Sequence, residues 1–329
     1  MHLCVVSFKP CWQDRDGRWM SSGGFPRQMA AVASLFDRLT LVVVRTDPQA
    51  GGLPLPPEAE VVALRSPSGA GGRRKVSVLA GLGYYLGAIA PCVRRADVVH
   101  VPVPGDISFL GFLVALAFRK RLIVRYGSCW TVTPHTTWMQ RLTRACMRVC
   151  AGGRNVMLAT GVGAAPPAPG IRWIFSTALS RAEVDAIDVC LDRLPGRPPR
   201  LVYIGRLSPE KGVDCLLRAV ALLRRAGWEP MPRLSLLGDG PQRASLERQA
   251  RELEIADLVA FCGQLDRRQL FAHLRDADLG VQPSLTEAFS KAALDAMAHG
   301  VPVLSSNVGS ATSIVGTSGE RGWLIPPGD

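Results

Sequence analysis

Short apolar runs alternate with longer amphipathic ones along most of the chain, and that rhythm predicts the fold before any single residue is weighed. In the N-terminal half, Leu3–Ser7, Leu41–Val44, Asp97–Val101, Leu122–Arg125, Asn155–Leu158 and Arg172–Phe175 have strand length. Gly24–Phe36, Val76–Val93, Ile107–Phe118, Thr136–Cys150 and Arg181–Leu191 have helical length. Apolar strands separated by helices imply a mostly parallel sheet covered on both faces. A Pro/Gly-rich break, L-P-G-R-P-P-R at Leu194–Arg200, then resets the pattern. Behind it strands Leu201–Ile204, Leu234–Leu237, Leu258–Cys262, Leu279–Gln282 and Pro302–Ser305 alternate with helices Gly212–Arg225, Gln242–Leu253 and Arg267–Arg275. The expected division is therefore residues 1–195 and 196–329, each an α/β domain. Ligands of open parallel sheets bind beyond the carboxyl ends of the strands. Loops Gly205–Lys211, Gly238–Pro241, Gly263–Leu265 and Pro283–Glu287 are thus expected to line one crevice.

The stretch Ser284–Pro302 carries the densest chemistry. Phe289, Ala292, Ala293, Ala296 and Met297 recur at helical spacing, and Gly300 with Pro302 ends the helix. Glu287 stands at its mouth, where the backbone N–H groups of Phe289, Ser290 and Lys291 are expected to face an anion. Asp295 follows eight positions after Glu287, about two turns on, a spacing that suits two ends of one ligand better than an acid–base pair.

A second motif, G-R-L-S-P-E-K-G at Gly205–Gly212, follows strand Leu201–Ile204. Gly205 lets backbone approach a ligand closely, Arg206 offers a fork of donors, and Lys211 adds a point charge. A cation is a poor choice for a helix N-terminus on dipole grounds, which favours a Lys211 that faces a diphosphate. The bland alternative pairs Arg206 or Lys211 with Glu210 or Asp239.

With L-L-G-D-G-P at Leu236–Pro241 and the closing G-W-L-I-P-P-G-D, these motifs occur in the order and spacing of a known family. The chain resembles family 4 of the retaining glycosyltransferases. The resemblance covers most of Arg200–Asp329 and extends more weakly to Leu3–Phe8, Ser21–Gln28, Asp97–Val101 and Arg172–Ser180. It implies the GT-B fold, two Rossmann-like doubly wound domains facing across a cleft: an N-terminal acceptor-side domain and a C-terminal nucleotide-sugar domain. It implies catalysis by Glu287, Arg206 and Lys211, with the two cations on the donor diphosphate and Glu287 on the transferred sugar. Gly23, Gly24, Gly205, Phe289, Ser290 and Lys291 would approach the donor, and Asp295 would hold the ribose hydroxyls. The family normally continues for several helices after P-P-G-D, so the resemblance implies an incomplete C-terminal domain.

Four positions depart from that pattern. Asp295 replaces the usual Glu and is one methylene shorter; Ala288 and Ser290 stand where glycine is frequent. Where many members carry an acceptor-side His, Tyr126 occupies the place, with His135 nearby. Two D-x-D triplets, Asp14–Asp16 and Asp276–Asp278, read as solvated turns. The implied donor is a UDP- or GDP-sugar bound without a metal, and no cofactor is expected beyond it.

The net charge of +12 lies wholly in the first half, where residues 1–164 carry 20 basic and 8 acidic side chains; residues 165–329 carry 19 of each. Such a basic half suits an anionic membrane surface or a phosphorylated substrate, and its bland reading is a solvated surface. No nucleic-acid motif accompanies it. Helix Trp138–Val149 places Arg141, Arg144 and Arg148 along one face, with Leu142, Cys146 and Val149 expected opposite. Val76–Val93 is uncharged over the length of a span, but Gly81, Gly83, Gly87 and Pro91 favour buried or membrane-touching helices. Nine Cys without a CxxC pair fit reduced thiols in a cytoplasmic protein, peripheral on the inner face of the plasma membrane.

The expected activity is transfer of a sugar, with retention, to a glycan or lipid-linked acceptor in cell-surface polysaccharide synthesis. Two other readings stand beside it. One is a non-catalytic sugar-nucleotide-binding or membrane-associated scaffold. The other is a nicotinamide dehydrogenase, weakened because G-D-G-P-Q-R at Gly238–Arg243 lacks the third glycine of its fingerprint.

Overall fold

The computed structural model describes residues 1–49, 52–69, 71–133, 136–175, 177, 179–189, 197–316 and 319–329. Packing divides them into two units. The first comprises Met1–Trp130, Thr136–Thr160 and Ala164–Ile174; the second is chiefly Phe175–Asp329 and takes in Gly161–Gly163. Phe175 and the segment after it, which the sequence pattern groups with the N-terminal half, pack with the second unit. The Pro/Gly-rich break lies mostly outside the described residues.

In the first unit the strands are β1 (His2–Gln13), β2 (Trp19–Ser21), β3 (Arg38–Arg45), β4 (Leu53–Pro54), β5 (Glu60–Leu64), β6 (Val98–Val103), β7 (Arg121–Tyr126), β8 (Asn155–Thr160) and β9 (Ile171–Ile174). Its helices are α1 (Phe25–Ala33), α2 (Gly71–Ala80), α3 (Leu82–Arg95), α4 (Asp106–Ala117) and α5 (Trp138–Val149). The parallel body of the sheet runs β5-β3-β1-β6-β7-β8-β9, and β2 adds antiparallel to the far end of β1. Alternation along a strand sends neighbours to opposite faces. Cys4 and Val6 accordingly join one core, and Leu3 and Val5 the other. Both faces are covered, as continuous apolar strands require.

The apolar run Val76–Val93 does not form one helix. It breaks at Gly81 into α2 and α3, which bend by 69°. Gly81 packs under the Tyr85 ring, where a Cβ would sit 2.9 Å from Cε2. No single helix among the described residues is long and apolar enough to cross a membrane. On α5 the buried residues are Thr143, Arg144 and Met147. Arg144 is thus not on the basic face that its spacing suggests. It donates from Nη1 to the Trp130 carbonyl at 2.5 Å, and Leu142 and Val149 face outward instead.

The second unit holds β10 (Arg200–Ile204), β11 (Arg233–Leu237), β12 (Val259–Gly263), β13 (Leu279–Gln282), β14 (Val303–Ser306) and β15 (Gly322–Ile325). Its helices are α6 (Arg181–Asp185), α7 (Val213–Arg225), α8 (Arg243–Glu252), α9 (Arg267–Asp276), α10 (Lys291–Ala298) and α11 (Ala311–Val315). All six strands are parallel, in the order β12-β11-β10-β13-β14-β15. Counted from β10 this is the doubly wound order 3-2-1-4-5-6, whose direction reverses between β10 and β13. The loops that leave those two strands carry the two motifs singled out above.

Candidate active site

The loop after β10 is built on glycines that leave no room for a side chain. Gly205 N–H donates to the Leu237 carbonyl at 3.0 Å. Gly238 has φ +151°, and a Cβ there would fall 1.9 Å from the Gly205 carbonyl oxygen. Leu207 N–H donates to the Asp239 carbonyl and Gln242 N–H to the Leu207 carbonyl, each at 3.0 Å, so the loops after β10 and β11 are laced together. Tyr203, fully buried, donates its hydroxyl to the Arg206 carbonyl at 2.9 Å and fixes the turn from below. Burial first, and then the charges of Glu287 and Glu210, push the Tyr203 phenol well above its ordinary range. It therefore stays a donor.

Arg206 projects from this turn into solvent, with no hydrogen-bond or ion-pair partner among the described residues. A one-turn 3-10 helix, Pro209–Lys211, follows. Gly212 then takes φ +63°, and its Cα lies so close to β13 that a Cβ would be 2.2 Å from the Pro283 carbonyl oxygen. Leu285 N–H donates to the Glu210 carbonyl at 2.9 Å. The β10 and β13 loops are thereby held side by side, and Lys211 Nζ donates to Glu287 Oε2 at 2.5 Å. Neither alternative acid takes Lys211: Glu210 accepts from the Ser208 hydroxyl at 2.7 Å, and Asp239 pairs with Arg243 at 3.3 Å.

Glu287 is braced from its other side. Its carbonyl lies against Gly309, where a Cβ would be 1.8 Å away, and Ser310 N–H donates to the Ala288 carbonyl at 3.2 Å. Beneath it is a cavity of about 10 Å³ lined by Gln282, Ser284, Glu287, Ser290, Ser305 and Val308. Ser284 Oγ is buried there with no partner.

The helix after Glu287 begins at Lys291, later than the apolar periodicity suggests. Ser290 is its cap: Ser290 Oγ accepts the Ala293 N–H at 3.2 Å, so Phe289 and Ser290 precede the helix and do not belong to its first turn. Phe289 is buried and stacks on Phe175, with ring centroids 5.3 Å apart. Sequence reasoning missed Phe175, because nothing local marks a partner 114 positions away.

Asp295 lies on the inner side of α10, 6% exposed, and its Oδ1 has no hydrogen-bond partner. Burial raises its pKa to about 6, against the opposing pull of Arg267 and Lys291. Nearby, Arg267 Nε donates to Glu183 Oε1 at 2.6 Å, and its guanidinium sits over the Phe271 ring at 5.0 Å.

The remaining candidates fall elsewhere. Gly23, with φ +70°, and Gly24 form the turn before α1 in the first unit. Tyr126 ends β7 fully buried and edge-on to Trp130, ring centroids 5.4 Å apart, so it is a core side chain. His135 lies outside the described residues. The D-x-D triplets are engaged in ion pairs: Asp14 and Asp16 hold Arg18, Asp276 holds Arg200, and Asp278 holds Arg197. Among the described residues, no group of three or more His, Cys, Asp or Glu could hold a metal ion.

The paired loops coincide with a known family. Residues 192–329 match the family model of the glycosyl transferases group 1. That segment resembles the group 1 glycosyl transferases. Glycogen synthase of Mycobacterium tuberculosis is 39% identical over 132 residues, which cover 40% of this chain and 31% of that protein. The stretch aligned with the first curated relatives thus spans about a third of their length. Among solved structures, sucrose-phosphate synthase from Thermosynechococcus elongatus superposes with a TM-score of 0.71 at 19% identity, covering 100% of this chain and 86% of that one. The Anabaena HepE protein, solved in complex with UDP, gives 0.64 at 17% identity with the same coverage. These likenesses show a GT-B fold, and the family match falls on its second unit.

Proposed function

We propose that the chain is a retaining glycosyltransferase that takes a hexosyl group from a UDP- or GDP-sugar and passes it to a glycan or lipid-linked acceptor of the cell surface. The observation that carries this reading is the juxtaposition of Arg206, Lys211 and Glu287 at the point where strand order reverses, on loops whose glycines let the backbones pack directly on one another and hold the three side chains in place. Departure of a nucleoside diphosphate leaves negative charge on its oxygens, and fixed cations at that place lower the barrier. Arg206, with no hydrogen-bond or ion-pair partner among the described residues, can fork onto the diphosphate. Lys211 exchanges its Glu287 contact for phosphate, and Glu287 then accepts from a hydroxyl of the sugar. In the retaining step the acceptor hydroxyl attacks C1 on the face from which the diphosphate leaves. The C1–O bond to phosphate breaks as the new one forms, and the hydroxyl proton passes to the departing phosphate oxygen. No metal is needed in this scheme. The unpartnered Oδ1 of Asp295 suits a ribose hydroxyl, which would supply the hydrogen bond it lacks.

Thermal unfolding with UDP, GDP, ADP and NAD, each with and without EDTA, tests the proposal. A ligand at 100 times its Kd stabilises by about 2.7 kcal/mol. Stabilisation by UDP or GDP that ignores EDTA and vanishes in Arg206→Ala is expected. Stabilisation by NAD alone would end the transferase reading.

A further inference from the structure

Two helices of the first unit leave large apolar side chains in solvent. On α2 only Val78 is buried, while Val76 and Leu79 are 66% and 68% exposed. On α5 Trp138, Leu142 and Val149 face outward, Trp138 at 56%. The two helices meet: Lys75 Nζ on α2 lies over the Trp138 ring of α5, 4.4 Å from its centroid. That contact places the exposed Trp138 beside α2, and the same two helices expose Arg73, Arg141 and Arg148.

Neither α2 nor α5 carries an acidic residue. None occurs between Glu60 and Asp97, or between Asp106 and Glu183, stretches that contain all of α2 and α5. Asp106, at the head of α4, is already paired with Arg74 at 2.6 Å. An exposed Trp with exposed aliphatic side chains and arginines, on helices that carry no acid of their own, is the arrangement of helices that rest at a lipid headgroup boundary. A bilayer with anionic headgroups satisfies both halves: hydrocarbon for Leu79 and Trp138, and phosphate for the arginines.

We propose that α2 and α5 dock this chain on an anionic lipid bilayer, lying on the surface without crossing it. The helix that continues from α2 cannot follow it into lipid, because Tyr85, Ile89, Cys92 and Val93 of α3 belong to the core of the first unit. This inference is independent of the transfer reaction.

Flotation of the full chain with vesicles of phosphatidylcholine, alone or mixed with phosphatidylglycerol, tests it. Two double variants, Leu79→Ser with Trp138→Ser and Arg73→Gln with Arg141→Gln, alter only exposed side chains, so unchanged unfolding midpoints serve as the folding control. The wild type is expected to float with the anionic vesicles, to stay behind with pure phosphatidylcholine, and to be released by salt. Each removed charge weakens binding about fivefold, so the arginine variant should lose about 25-fold. The apolar variant should lose at least about tenfold. Equal binding to both vesicle types, or wild-type binding by both variants, overturns the proposal. So does a concentration-dependent dimer, seen without lipid and abolished by the apolar variant, which would make this face a contact between copies.

Discussion

Lys211 Nζ and Glu287 Oε2 lie 2.5 Å apart although 76 positions separate them in sequence. Their side chains are 21% and 24% exposed. A part-buried pair that still touches solvent contributes on the order of 1 kcal/mol to stability, too little to explain loops held so tightly around it. Lys211→Ala is therefore expected to lower stability by less than about 1 kcal/mol and transfer activity by about 10²–10³-fold. Denaturant unfolding and product formation, measured on the same preparation, separate the two effects. A stability loss well above that range with activity retained would make the pair a structural bridge.

Gly309 is the rear wall of the same site. It has φ +58°, and a Cβ there would lie 1.8 Å from the Glu287 carbonyl oxygen and 3.0 Å from that of Ala288. Backbone cannot yield as a flexible side-chain tip would. Gly309→Ala should cost about 1–3 kcal/mol in strain and, by displacing Glu287, abolish stabilisation by the donor nucleotide. Gly87→Ala is the contrasting case, since Gly87 is exposed within α3 with nothing within 4 Å of its Cβ position. It should raise stability by about 0.5–1 kcal/mol. Thermal unfolding with and without UDP or GDP reads both variants.

Much of this was legible in the chain, and what was not has identifiable causes. Strand Leu279–Gln282 emerges with the bounds that its apolar run sets, because a parallel strand buried on both faces leaves an uninterrupted hydrophobic signature. The loops after β10 and β13 were recognisable from Gly, Arg, Lys and Glu at fixed spacing. That Lys211 meets Glu287 rather than Glu210 or Asp239 was not, since their meeting depends on strand order. The helical period on α5 was read correctly and its orientation wrongly. Arg144 faces inward because the Trp130 carbonyl accepts a hydrogen bond from its guanidinium, a tertiary contact that no local pattern contains. Likewise the Pro/Gly-rich break drew the eye away from Phe175, whose partner belongs to the other half.

Phe175 gives that difference a measurable form. Its ring stacks on Phe289 with an interplanar angle of 26°, and both residues belong to the second unit. Aromatic pairs of this kind add roughly 0.5–1.5 kcal/mol beyond burial. Phe175→Ala should therefore destabilise the second unit by about 1 kcal/mol and weaken donor binding, because Phe289 supports the turn between Glu287 and α10. Hydrogen exchange along β10 to β15 follows that loss; faster exchange confined to β1 to β9 would instead return Phe175 to the N-terminal domain where the sequence pattern places it.

Asp295 links stability to function through its proton. An unfolded Asp releases its proton near pH 3.8, whereas in the fold burial holds it to about pH 6. Between those values the unfolded chain binds fewer protons than the native one. Stability from this residue is therefore lost as pH rises through the window, and the loss is complete above pH 6. About two pKa units correspond to a cost of up to roughly 3 kcal/mol at neutral pH. Asp295→Asn removes the ionisable group while keeping nearly the same shape. It should be the more stable protein above pH 6 and should lose that advantage as pH falls toward 4. If Asp295 also holds the ribose, the same variant should show a smaller stabilisation by UDP or GDP, despite its sounder fold. The difference in unfolding free energy between wild type and variant, measured from pH 4 to pH 8, isolates this residue from all others that titrate. A difference that does not vary with pH would mean that the carboxyl is already ionised and paired in solution. A pH-dependent difference with undiminished nucleotide binding would leave Asp295 a buried acid of the core, and would place the ribose contact elsewhere.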